Sequence, residues 1–130
     1  MTDSQVPDPQ SLAPADSPDA ASAAQAERDI ADVPAVEIIT TVALHLASAA
    51  AIACGLGEAG DDEQDLAEAR ILINALAALI TGSAADLGTF HAGPLRDALR
   101  TLQLAFAEAS DFPDPPGKGP GERFTGPVGR

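Results

Sequence analysis

The chain has 130 residues and a formal charge of −13 at pH 7, from 20 Asp and Glu against 7 Lys and Arg. That length suits one small domain, and that charge argues against a direct nucleic-acid ligand, whose phosphates are held mainly by Lys and Arg. Apolar residues make up 45% of the chain, but alanine supplies much of this, with no Trp or Tyr and only 4 Phe. Alanine buries little area, and burial stabilises at roughly 25 cal/mol per Å2, so the composition implies a thin core.

Residues 1–29 carry Pro7, Pro9, Pro14 and Pro18 among Asp, Ser and Ala. Such a stretch buries too little to offset its ordering entropy and is expected to be a disordered arm, with "ASAAQAER" transiently helical. The opening has no basic start followed by an apolar segment and so does not read as a secretory signal. Cys54 is the only cysteine, which excludes an intrachain disulfide. Both features lead to the expectation of a cytoplasmic protein.

The longest apolar run is "VPAVEIITTVALHLASAAAIACGLG", Val33 to Gly57. A first helix is expected from near Pro34, with Asp32 as cap and Glu37 in the first turns, to about Cys54, where Gly55 and Gly57 end it. Val36, Ile39, Ala43, Leu46, Ala50 and Ala53 form one apolar stripe; Ile38, Val42, Ala49 and Ile52 form another. The helix is therefore apolar around most of its circumference.

A second helix is expected from about Asp62 to Ile80, with Asp61, Asp62, Glu63 and Asp65 at its positive end. Leu66, Ala69, Ile73, Leu76 and Ile80 give it a heptad stripe, and Gly82 is expected to close it. Ser83 to Gly93 reads as a loop, with a small capping box from Ser83 to Asp86. A third helix is expected from Pro94 to about Ser110, with Leu95, Leu99, Leu102 and Phe106 on one buried side. From Phe112 the text "FPDPPGKGPGERFTGPVGR" holds five prolines and five glycines in nineteen residues, which predicts a disordered, locally basic tail. The expected architecture is all-α: a small three-helix bundle, or a helical hairpin plus a third helix, over residues 30–111, with disordered arms over 1–29 and 112–130.

The order of these pieces resembles an uncharacterised bacterial family, domain of unknown function 1844. The matching text is "EIITTVALHLASAAAIACGLG", then "DLAEARILINALAALITGSAADL" with Asp65, Leu66, Ala69, Arg70, Ile73 and Leu76, then "LRDALRTLQLAF" with Leu99, Leu102 and Phe106. The flanks "ERDIADVPAVEIIT" and "PDPPGKGPGERFTGPV" resemble the family's actinobacterial branch. Where the family loop commonly reads like Lys-Thr-x-Gly-Asn-Leu, this chain has "TGSAADL". The resemblance spans about residues 27 to 127 and implies a small all-helical cytoplasmic protein. It carries over no catalytic residue.

No constellation of catalytic chemistry is legible. His45, Cys54 and His91 lack the short local spacings of a zinc site, and Cys54 lacks the positive surroundings of a reactive thiolate. Glu58, Asp61, Asp62, Glu63 and Asp65 do not follow a calcium loop and read as helix caps. Neither "GLGEAG" nor "GPGERFTG" is a phosphate loop, and no nucleophile has a plausible base. No catalytic, cofactor-binding or metal-binding residues are assigned, and no enzymatic activity is expected.

The apolar run is long enough to span a bilayer. Glu37, Thr40, Thr41, His45 and Ser48, and acidic flanks without Lys or Arg anchors, weigh against a membrane span. A core helix is the second reading. Its excess apolar surface favours a third, in which the alanine-rich first helix meets a second copy or a helical partner through Ile39, Ala43, Leu46, Ala47, Ala50 and Cys54. On that reading, acidic replacements at Ala47 and Ala50 dissociate an oligomer. The alternative is a peripheral membrane or small apolar-ligand-binding bundle.

Overall fold

The computed structural model describes residues 18–129 and is all-α, with no strand among them. Residues 1–17 of the expected disordered arm lie outside the described residues. The rest of that arm differs from expectation, since Pro18–Ala31 forms a helix, α1. Its six alanines favour the helix, Asp19 stands in the first turn and Arg28 in the last. Side chains one turn apart add to this: Gln25 Nε2 donates to Asp29 Oδ1 at 2.9 Å, and Arg28 donates to Gln25 Oε1 at 2.8 Å.

A second compact unit begins at Ala35. Its first element, α2, spans Ala35–Ala53, close to the expected bounds. Gly55 ends it at φ 90°. There Leu56 N–H bonds Ala51 O and Gly55 N–H bonds Ile52 O, the paired bonds of a Schellman cap. A short 3-10 turn, Gly60–Glu63, then leads into α3. Gln64 Nε2 donates to Cys54 O at 3.2 Å and Asp65 N–H to Ala53 O at 2.8 Å, which ties the loop to the end of α2.

α3 spans Leu66–Ala109 and is interrupted at Gly88, whose φ of 79° and ψ of 165° leave the helical region. Asp65 caps its start, accepting Glu68 N–H at 3.2 Å. The helix passes straight through Gly82, where an end was expected. Ser83 is no capping residue but lies within the helix, its Oγ donating to Leu79 O at 2.6 Å. The expected loop over 83–93 shrinks to the single reversal at Gly88, and Pro94 lies inside the second arm rather than at its start.

The two arms of α3 fold back on each other. Arg70 in the first arm stands 5.0 Å from the centroid of the Phe106 ring in the second. Ile73 and Ala77 meet Gln103 around Gly121, and Ile80 shares a cavity wall with Leu99. These pairings share one register that centres on Gly88. With α2 the arms make a three-helix bundle whose core includes Ile73, Leu76 and Ile80 from the first arm and Leu95, Leu99 and Phe106 from the second, as the sequence stripes predict.

α2 contributes small side chains to this core: Ala43 and Ala50 are 0% exposed, and Ala53 and Cys54 are buried beside them. Alanine lets the α2 backbone approach α3 closely, and the half-buried Val36, Ile39 and Leu46 fill the margins. Burial pushes the Cys54 thiol up from its ordinary value, away from the thiolate that reacts.

The tail is the largest difference from expectation. Residues 112–129 pack on α3 and include a four-residue helix, α4, Glu122–Thr125. The proline and glycine content removes regular structure without removing order, because the tail's free backbone groups find specific side-chain partners.

Two outcomes follow for stability. Gly88 occupies a region that is essentially restricted to glycine, so Gly88→Ala is expected to destabilise the bundle by about 1–3 kcal/mol, read as a lowered Tm in thermal unfolding. Cys54 is expected to resist a thiol reagent in the folded chain and to react once denaturant is added, followed by mass spectrometry.

Candidate functional site

The outer side of α2 is the most conspicuous apolar surface of the second unit. An 18-residue window of this helix has a mean hydropathy of 1.7 with only 11% of it buried. Of the two sequence stripes, the one through Val36, Ala43 and Ala50 faces inward. The other, through Ile38, Val42 and Ile52, faces outward, with Val42 46% exposed. Leu44 at 53% and Leu56, beyond the helix end, at 57% lie to another side, beside α3.

The residues of the expected interaction face lie inward of this surface. Ala43, Ala50 and Cys54 are buried within the chain, while Ile39, Leu46 and Ala47 are half-buried and pack against the core. The physical reason is size: both stripes are apolar, but only the alanine stripe lets α2 sit close to α3, so the bulkier Ile38, Val42 and Ile52 are left outside. Acidic replacement of Ala50 would therefore break the core rather than an interface.

A shallow groove of about 320 Å3 runs between α2 and the second arm of α3. Leu44, Ala47, Ser48 and Ala51 line one side, with Ala98 and Leu102 on the other. No charged residue lines it. At the far end of the bundle Phe90 is also exposed, its ring edge-on to His91 with centroids 5.1 Å apart.

The second feature is the seat of the tail. Asn74 Oδ1 accepts Gly121 N–H at 2.7 Å, and Gln103 Nε2 donates to Pro120 O and to Thr125 Oγ1, each at 3.1 Å. One amide from each arm of α3 thus grips the tail's main chain. Glu122 closes the segment on itself, with Oε1 accepting Gly119 N–H at 2.7 Å and Oε2 accepting Val128 N–H at 2.6 Å. Gly121 lies at φ 76°, and a Cβ there would stand 2.9 Å from Gln103 Nε2 and 3.1 Å from Ala77 Cβ. Only glycine fits this close approach.

Arg70 joins three segments. It belongs to the first arm, stacks on Phe106 of the second and pairs with Asp114 of the tail at 2.8 Å. The pair is partly exposed, so its net worth is modest.

The bundle that carries both features is also the segment shared with other proteins: a family model described as a domain of unknown function, DUF1844, matches residues 35–108. This chain belongs to that family. The match takes in α2 and nearly all of α3, so the DUF1844 segment is the three-helix bundle itself. No curated protein and no solved structure matches the chain.

His45 and His91 are exposed, on α2 and on the second arm of α3, and Cys54 is buried. Among the described residues no group of three or more His, Cys, Asp or Glu is placed to hold a metal ion. The helix expected from Asp62 starts at Leu66, so Asp61, Asp62 and Glu63 lie in the 3-10 turn before it, and of the four carboxylates at its start Asp65 is the cap.

Nothing in the sequence marks Asn74, and Gln103, expected among the polar residues around the leucine stripe, is buried. A signal was available for Gln103, a polar residue flanked by Leu102 and Leu104 and one turn from the apolar Leu99 and Phe106. Asn74→Ala and Gly121→Ala are each expected to loosen the tail, seen as faster amide exchange and earlier proteolysis within residues 112–129, while the bundle stays helical by circular dichroism.

Proposed function

We propose that this DUF1844 protein is a non-enzymatic, cytoplasmic helix-association module that pairs with a second copy of itself through the outer face of α2. The observation that carries the reading is the row Ile38, Val42 and Ile52, exposed on the side of α2 turned away from the core. Contiguous apolar surface of this kind marks an interaction site on a soluble domain, and a two-fold dimer is the commonest closed arrangement.

The alternative is association with a membrane surface or a small apolar ligand. α2 and α3 are both long and apolar enough to cross a membrane by length and composition, a test that the core helix of a soluble protein also passes. The net charge of −13 weighs against an anionic lipid surface, which repels an acidic chain.

Self-association here is hydrophobic attraction opposed by long-range charge repulsion. Added salt screens the repulsion, with a Debye length of about 10 Å at 0.1 M, and is expected to shift the chain toward dimer in sedimentation equilibrium. Val42→Glu with Ile52→Glu is expected to leave a folded monomer under the same conditions. A folded wild-type chain that stays monomeric at micromolar concentration in high salt would overturn the proposal, and co-sedimentation with neutral vesicles would favour the alternative.

A further inference from the structure

We propose that Arg96 and Arg100 form the rim of a binding site for a small organic phosphate, held as a dianion by the two guanidinium groups with its apolar body against Leu99 and Phe124. A cavity of about 350 Å3 lies between α3 and the docked tail, and its walls include Arg96, Arg100, Ile80, Leu99, Phe124 and Val128. Leu99 and Ile80 come from the core and make a rigid apolar floor. Phe124 supplies an aromatic wall.

The electrostatics of this cavity run against those of the chain. The protein has 20 Asp and Glu against 7 Lys and Arg, yet two arginines and no acidic residue line the cavity. The one ion pair among the described residues is Arg70 with Asp114, so Arg96 and Arg100 have no carboxylate within ion-pair distance there. They stand one helical turn apart, a spacing at which like charges repel. The Glu122 carboxylate of the same tail segment is occupied by the backbone N–H groups of Gly119 and Val128. Arg123, with its guanidinium 5.0 Å from the Phe124 ring centroid, adds a third positive charge beside the aromatic wall.

The chemistry of the rim selects the ligand. A planar guanidinium binds an oxyanion through two parallel N–H donors. A carboxylate fork satisfies one such group, whereas the three terminal oxygens of a phosphate monoester can satisfy two. Small-molecule sites range upward from about 300 Å3, so this cavity suits an organic body near the size of a single ring. Because the tail supplies Phe124, Thr125 and Val128 while α3 supplies the arginines, the site exists only when the tail is seated.

The test is calorimetric titration of the full chain at low ionic strength with phenyl phosphate, inorganic phosphate and benzoate. Phenyl phosphate is expected to saturate one site and to bind at least about tenfold more tightly than either fragment. A hydrogen bond to a charged group is worth roughly a factor of ten or more, so Arg96→Gln and Arg100→Gln are each expected to weaken binding by about that factor with Tm unchanged. Arg28→Gln on α1 removes a charge outside the cavity and is expected to leave binding intact. Three results would overturn the proposal: no saturable binding of phenyl phosphate to the folded chain, an equal loss in the Arg28 variant, or inorganic phosphate binding as tightly as phenyl phosphate.

Discussion

Everything in the second unit depends on the reversal at Gly88. Without it, the 44 residues of α3 would form a single rod, about 66 Å long at the usual rise per residue. Its two apolar stripes would then have nothing to face. With φ at 79° and ψ at 165°, one residue turns the chain back with almost no loop. The register it sets brings Arg70 over Phe106 and places Ile73 and Ala77 beside Gln103. That same register creates the surface on which the tail lies.

The tail shows how irregular backbone becomes ordered without a hydrophobic core of its own. Its proline and glycine residues form no ladder, so their peptide groups need other partners. Asn74, Gln103 and Glu122 provide them. These side chains act at a distance along the chain, Asn74 reaching 47 positions to Gly121. The order of the segment is a tertiary property. No local feature of "GKGPGERFTGPVGR" could supply it.

The three helices of the bundle and most of its core were legible in the sequence, because spacing alone marks Ile73, Leu76, Ile80, Leu95, Leu99 and Phe106 as one-sided. The end of α2 at Gly55 was legible as well, being local. The break in α3 was not, since Gly82, Gly88 and Gly93 all offer the same freedom and only one of them uses a positive φ. The orientation of α2 was also hidden. Two apolar stripes of similar strength compete on that helix, and which one turns inward is decided by how closely α3 can approach. Size, and not hydrophobicity, settled the choice, and with it the position of the candidate interface.

The alanine seam gives α2 two sides with different mutational histories open to them. On the inner side, Ala43 and Ala50 are wholly buried against the core. Any larger residue there forces the helices apart, and overpacking of this kind typically costs about 1–3 kcal/mol. The outer side meets no such wall, so Ile38 and Val42 can be exchanged for other residues without disturbing the bundle. A chain built this way can change what it meets while keeping what it is.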